Sequence, residues 1–398
     1  MSGRDQFVII GASLAGLRAA EALREYGYDG NISIIGAENS APYNRPPLSK
    51  QLLTGQQDFD ELTFPVAEDL DLNWYLGISA TGLDIAKREV KLSTENSLRY
   101  DRLLIATGVD PIVPPLPNVD LPGIHVLRRI EDAKQLRTDM NAGDHLVIVG
   151  AGFIGCEVAA SARTLGLDVT IIDQADQPMA RALPSEIAQV FRHIHEEEGV
   201  RFRFGRTVTG LTGEDRVRAV ILDDGETIDA DHILIGIGSR PTTHWLEGSG
   251  LILRNGVVCD AFCRAMNGEG RVAAAGDVAV FTHRGYNNSE MRIEHWTNAA
   301  QQGAAAALSL MDEHSPPYTP LPSFWTDQYS YKLQSIGVPG VATRFQVVSG
   351  SLADRKFLVE CLKDDELVGV FALNMAPRMA SYRRRMEIKM TQQNCQRS

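Results

Sequence analysis

The chain has 398 residues, 44% hydrophobic and 23% charged, which leaves room for two or three cored domains in a composition ordinary for a globular protein. A formal net charge of −12 excludes the basic footprint of a general nucleic-acid binder, and no apolar run approaches the length of a membrane span. No apolar leader precedes the first strand. The odd set of five cysteines (Cys156, Cys259, Cys263, Cys361 and Cys395) lacks disulfide-framework or metal-ligand spacing, so a cytoplasmic setting with free thiols and no bound metal is expected.

The first predicted element is the strand Phe7-Val8-Ile9-Ile10, which runs into the turn Gly11-Ala12-Ser13-Leu14-Ala15-Gly16. A helix over residues 14–26, a second strand over 32–35 and the acid Glu38 follow. A strand–turn–helix of this kind aims backbone N–H groups and a helix N-terminus at a pyrophosphate, while the acid accepts from a ribose hydroxyl. Ser13 occupies the middle-glycine position, where the pyrophosphate comes closest, and is small enough to be tolerated. Next come a rigid prolyl segment with a short helix (Arg45-Pro46-Pro47-Leu48-Ser49-Lys50) and two strand-like pieces around Asp84. A buried strand then ends in Ala106-Thr107-Gly108, and five prolines over residues 111–122 read as a linker.

A second copy of the opening unit begins about 140 residues after the first, one domain length. Leu146-Val147-Ile148-Val149 leads into Gly150-Ala151-Gly152-Phe153-Ile154-Gly155, a helix, another strand and Asp173. In that helix Glu157 lies beside the apolar stripe Ile154, Val158, Leu165, where a carboxylate is costly unless paired. As a ribose partner Asp173 would repel the extra phosphate of NADP and so favours NADH, although Arg181 stands close enough in sequence to soften that preference. Gly238, closing Ile233-Leu234-Ile235-Gly236-Ile237-Gly238, is counted with the same nucleotide. Two such units in one chain suggest two nucleotides, the arrangement needed to pass a hydride from a nicotinamide to a flavin. Beyond them lie Val272-Ala273-Ala274-Ala275-Gly276-Asp277, an alanine-rich helix over 298–310, a prolyl linker, and a tail that alternates like antiparallel strands. The tail ends in a helix-like stretch over 378–389 carrying Arg383-Arg384-Arg385, either a solvated face or a steering patch for an acidic partner.

Taken together, these segments resemble the FAD-dependent ferredoxin reductases that serve haem monooxygenases and aromatic-ring dioxygenases. The likeness rests on the two glycine turns, Arg45-Pro46-Pro47-Leu48-Ser49-Lys50, Ala106-Thr107-Gly108, Leu127-Arg128 and Gly152-Phe153-Ile154-Gly155-Cys156-Glu157. It continues through Ala275-Gly276-Asp277, Arg292-Ile293-Glu294-His295-Trp296-Thr297-Asn298-Ala299 and Phe324-Trp325-Thr326-Asp327-Gln328-Tyr329. Two departures are Asn44, where such proteins often carry an acid before the arginine, and a C-terminal end shorter than in several relatives.

The resemblance implies an α/β fold of the glutathione-reductase type, with two Rossmann-like nucleotide-binding domains and a C-terminal α/β domain. Residues 1–113 and 242–320 would form the FAD domain, 114–241 the NAD domain and 321–398 the C-terminal domain. It also implies that Lys50 reaches the flavin and pairs with Glu157 beside the reacting rings, a nearby cation favouring the anionic reduced form. FAD would be held by Gly11, Ser13, Ala15, Gly16, Glu38, Arg45, Lys50, Ala80, Ala106, Thr107, Gly108, Arg128, Gly276 and Asp277, with Trp296 as an aromatic wall. NADH would be held by Gly150, Gly152, Ile154, Gly155, Asp173, Arg181 and Gly238. The electron acceptor would be an acidic iron–sulfur ferredoxin, with neither nucleic acid nor membrane as partner. Flavin-dependent disulfide and persulfide reductases carry reactive cysteines early in the first nucleotide domain; this chain has none before Cys156, which reads as packing. A peroxide or disulfide reductase, and a redox-binding protein resembling apoptosis-inducing factor, remain as rivals.

Overall fold

The computed structural model describes residues 5–395, and their side chains as far as Met390. The first strand, Gln6–Ile10, has Phe7, Val8 and Ile9 wholly buried, as a strand covered on both faces requires. It lies inside a five-stranded sheet in the order Val272–Ala274, Arg102–Ile105, Gln6–Ile10, Asn31–Gly36, Leu72–Leu76, with every pairing parallel. Helix α1 (Leu14–Glu25) makes the crossover between the first two strands in sequence, a connection that parallel neighbours need.

The second unit repeats this plan. After α2 (Ile130–Asp139), the strand His145–Val149 leads through α3 (Phe153–Thr164) to Asp168–Asp173, and α4 (Ser185–Glu197) follows. Its sheet runs Arg201–Phe204, Asp168–Asp173, His145–Val149, His232–Ile235, Ile124–His125, again all parallel. The likeness extends to single hydrogen bonds: Gly11 N donates to Ile35 O at 2.7 Å, and Gly150 N to Ile172 O at 2.8 Å.

The chain leaves the first sheet and returns to it along one two-stranded ribbon, Val109–Pro111 antiparallel to Ser239–Pro241. Beyond it, Val272–Ala274 joins the first sheet. Helix α5 (Trp296–Ser309) begins earlier than the alanine run indicates, because the extended backbone at His295 lets Trp296 open the first turn. Ala306 and Ala307 enter the same core as Ala15 and Ala19 of α1.

The C-terminal part is an antiparallel sheet in the order Ser323–Gln328, Tyr331–Gly337, Glu366–Leu373, Lys356–Lys363, Arg344–Ser351. Alternation gives it two apolar faces. Leu333, Phe357, Val359, Cys361 and Phe371 pack with Cys156, Met179, Ile187 and Phe191 of the second unit. Ile336, Leu358, Val370 and Ala372 face the other way, against Met379, Met386 and Met390 of α6 (Met379–Cys395). Among the described residues no helix is long and apolar enough to cross a membrane.

Burial, which disfavours the imidazolium, pulls His125, His195 and His295 down to about 4. Folded pKa values below the unfolded 6.5 mean that the unfolded chain binds more protons between those limits. The histidine contribution to stability is therefore complete above pH 6.5 and is lost as pH falls towards 4. The thermal midpoint should drop between about pH 6.5 and 5, and calorimetry across that range checks it.

Candidate nucleotide-binding and redox site

Each glycine turn is shaped by two contacts that tolerate no Cβ. At Gly11 (φ +127°) a Cβ would fall 2.1 Å from Ala106 O, and at Gly150 (φ +113°) 2.3 Å from Gly236 O. At Gly16 and Gly155 it would fall 2.1 Å from Gly11 O and Gly150 O, so these two glycines let each helix sit down on its own turn. The middle position behaves differently. A Cβ at Gly152 would meet no protein atom within 4 Å, and its φ of −72° suits any residue. What a side chain there would obstruct is the open cavity outside the turn. In the first turn the equivalent residue is Ser13, whose hydroxyl accepts a hydrogen bond from Arg45 Nε at 3.3 Å.

The two turns open into one cavity of about 1250 Å³, larger than the roughly 300–1,000 Å³ usual for a single small ligand. It is lined by Gly11, Ser13, Ala15, Glu38, Arg45, Lys50, Ala80, Ala106, Thr107, Gly108, Gly276, Asp277 and Trp296 from the first unit and its return, and by Arg128 from the segment that follows the second sheet's strand Ile124–His125. Gly150, Gly152, Ile154, Glu157, Asp173, Arg181 and Gly238 line it from the second. Gly16 and Gly155 do not line it; they lie behind the turns, doing the packing work just described. Of the apolar stripe, only Val158 is wholly buried; Ile154, 43% exposed, lies on the first turn of α3, which overhangs the cavity where a nucleotide contact was expected of it.

Polar groups along the wall already hold one another. Glu38 bonds to both Arg45 and the Tyr43 hydroxyl, and Arg45 Nη1 donates to Arg128 O at 2.7 Å. Arg128 in turn pairs with Asp277 at 3.1 Å. Asp173 closes its own turn, with Oδ2 accepting from Ala151 N at 2.6 Å and Oδ1 from Ala175 N at 2.8 Å. Trp296 meets Trp325 edge to face at 6.2 Å, and its Nε1 donates to Asn44 Oδ1 at 3.0 Å. Asn44 therefore anchors an aromatic side chain more than two hundred residues away.

Where the two units meet, Lys50 Nζ lies 2.6 Å from Glu157 Oε2, with side chains only 12% and 5% exposed. The pair is heavily bonded: Ser49 Oγ donates to Oε2 at 2.6 Å and Thr326 Oγ1 to Oε1 at 2.7 Å. A buried pair of this kind adds little stability over apolar packing, yet removing one partner strands a charge. Sequence reasoning missed Ser49 and Thr326 as partners of Glu157, although both fall within segments already singled out. Cys156 is wholly buried; its thiol lies 3.5 Å from Ala151 O, and burial pushes its pKa up. None of the described cysteine side chains lines the cavity. Nor do Arg383, Arg384 and Arg385, which sit on α6 with the last two exposed.

A model of the pyridine nucleotide-disulphide oxidoreductases matches residues 5–303, and a reductase C-terminal model matches 323–396. The chain belongs to the pyridine nucleotide-disulphide oxidoreductase family. This oxidoreductase is 36% identical over 371 residues to rhodocoxin reductase of Rhodococcus erythropolis, covering 92% of this chain and 86% of the relative. It is 33% identical to putidaredoxin reductase CamA of Pseudomonas putida, covering 94% and 90%. Among solved structures it superposes with TM-score 0.91, at 31% identity, on the reductase of the covalent putidaredoxin reductase–putidaredoxin complex, covering 98% and 94%. The ferredoxin reductase for the CYP199A2 system of Rhodopseudomonas palustris gives TM-score 0.90 at 33% identity, covering 94% and 93%. The glutathione-reductase-type architecture expected from the sequence is thus the observed fold of the oxidoreductase.

The open space at Gly152 makes a specific test. Gly152→Ala should leave the folding stability of the oxidoreductase within the range of a neutral surface change, about 0.5 kcal/mol. The added methyl should nonetheless raise the KM for a pyridine nucleotide severalfold, measured by steady-state kinetics beside calorimetry.

Proposed function

We propose that this chain is an NADH-dependent, FAD-containing ferredoxin reductase of the cytoplasm, feeding a haem monooxygenase or ring-hydroxylating dioxygenase through an iron–sulfur ferredoxin. The observation that carries the reading is the single cavity with a glycine turn from each unit and the buried Lys50–Glu157 pair between them. The residues present fit two dinucleotides. Ser13 and Gly152 leave room outside their turns, the helix N-termini of α1 and α3 follow, and Arg45, Arg128 and Asp277 supply fixed polar groups.

In this reading residues 1–113 with 242–320 hold FAD, 114–241 hold NADH and 321–398 cover the junction. A bound FAD supplies acceptance of a hydride from NADH and release of the electrons one at a time. The chain's own part is orientation and electrostatics, and no side chain need act as acid or base in hydride transfer. Lys50 keeps a positive charge where the two units meet, and Glu157 balances it. Trp296 and Trp325 wall one side. As a ribose partner Asp173 would repel the extra phosphate of NADPH, which supports NADH over NADPH. The similarity to rhodocoxin and putidaredoxin reductases supports a ferredoxin as acceptor. A disulfide or peroxide reductase would need a thiol at the cavity, and none of the described cysteines lies there. A slow redox-binding protein would share the cavity but not rapid turnover.

The purified protein should be yellow, release intact FAD on denaturation, bleach rapidly with NADH and far more slowly with NADPH, and pass electrons to a 2Fe–2S ferredoxin over many turnovers. A colourless protein that takes up no FAD would end this reading. Slow bleaching with no turnover would favour the redox-binding rival.

The basic run on α6 gives a separate test of the partner. Exposed charges are screened over about 10 Å at 0.1 M salt, so reduction of an acidic ferredoxin should slow as salt rises while the NADH half-reaction changes much less. Neutralising Arg383, Arg384 and Arg385 together should flatten that dependence without changing flavin content, as read by stopped-flow absorbance. An unchanged salt slope would make the run a solvated face.

A further inference from the structure

Glu157 Oε1 is the end of a hydrogen-bond chain that crosses from the cavity into the interior of the molecule. Thr326 Oγ1 donates to it at 2.7 Å, and Gln328 Nε2 lies 3.1 Å from Thr326 Oγ1. Gln328 Oε1 is 2.8 Å from His195 Nε2, and the Tyr329 hydroxyl is 2.9 Å from His195 Nδ1. Thr326, Gln328, His195 and Glu157 are at most 4% exposed, so they are withdrawn from bulk solvent. The links join α3, the first strand of the C-terminal sheet and α4.

The direction of every bond follows from one fact. A carboxylate only accepts, so the Thr326 hydroxyl must donate to Glu157 and its lone pair must take the Gln328 amide N–H. That turns the Gln328 oxygen towards His195, whose Nε2 must carry the proton, leaving Nδ1 to accept from Tyr329. A neutral His195 suits this pattern, and burial keeps it neutral down to about pH 4. All the donors thus point the same way, towards Glu157. Tyr329 begins the chain from a two-residue hairpin loop at φ +54°, a strained conformation for a tyrosine, which the surrounding bonds must hold in place. A glutamine amide is a poor proton carrier, so the chain orients and stabilises charge and does not relay protons.

We infer that Thr326, Gln328 and His195 are positioning residues for the Lys50–Glu157 pair, fixing the carboxylate, and through it the Lys50 ammonium, where NADH and flavin meet. The inference rests on the reductase reading. An isolated carboxylate in a small pocket has several rotamers open to it; one gripped on Oε2 by Ser49 and Lys50 and on Oε1 by Thr326 has one. A mere filler of the space between α3, α4 and the sheet would be better made of apolar side chains.

Two readouts test this on the full chain. With FAD loaded, Thr326→Val should slow flavin reduction by NADH about tenfold, the weight of one hydrogen bond to a charged group, and Gln328→Met about threefold, the weight of one between neutral groups. The NADH concentration for half-saturation should stay unchanged, and Thr326→Ser, which keeps the hydroxyl, should restore most of the rate. Without FAD, nitrogen-15 NMR at about pH 7 should show His195, identified by its loss in His195→Phe, as the neutral Nε2–H tautomer. Gln328→Met should weaken that preference. If wild type is reduced by NADH and both variants match it, the chain is packing only; an Nδ1–H tautomer in wild type overturns the bond directions whatever the variants do. A wild type that takes up no flavin would sink the reductase reading instead, and the tautomer would still judge the chain.

Discussion

An ammonium and a carboxylate withdrawn from water must be given back the hydrogen bonds they lost, and that requirement organises the centre of this molecule. Lys50 comes from the short turn after Pro46-Pro47, Glu157 from α3 of the second unit, and Thr326 from the C-terminal sheet. No one of the three parts can satisfy the pair alone. The ion pair is therefore also a geometric condition: the parts must be docked in one arrangement before the charge at the cavity is balanced. The apolar contact of Cys156, Met179 and Phe191 with Phe357 and Phe371 supplies the burial that makes this arrangement favourable. The polar chain then makes it specific.

Much of the fold was legible because both nucleotide units obey local rules. A strand buried on both faces, a turn that must bring a helix onto its own backbone and a crossover helix each leave short-range marks, and they recur at Gly11, Gly16, Gly150 and Gly155. The same rules explain a partial misreading. The glycines of the fingerprint look alike in sequence, yet Gly16 and Gly155 serve the packing of helix on turn, while Gly11, Gly150 and Gly152 line the cavity. Ile154, placed in the apolar stripe of α3 and also among the NADH contacts, lines the cavity, since periodicity marks a helix face without saying where the helix overhangs open space.

The contacts missing from the sequence reading are those between distant segments. Thr326 stood in a recognised motif, but nothing local to it indicates a carboxylate 169 residues earlier. His195 sits on the amphipathic helix α4, where a histidine on the apolar side is unremarkable until Gln328 and Tyr329 are brought to its two nitrogens. Asn44 gives the same lesson, since its role depends on Trp296 rather than on its neighbours. Tertiary hydrogen bonds between single side chains carry no periodicity, so pattern reading does not find them.

The ribbon formed by Val109–Pro111 and Ser239–Pro241 has a topological consequence. The second nucleotide unit enters and leaves through strands that are hydrogen-bonded to each other, and Thr242 N bonds to Gly108 O at 3.0 Å just beyond. Its two ends are therefore adjacent in space, so the first unit sees the whole insert as a closed loop attached at a single point. Evolution or an engineer can lengthen, shorten or exchange that insert without changing the order of strands in the first sheet.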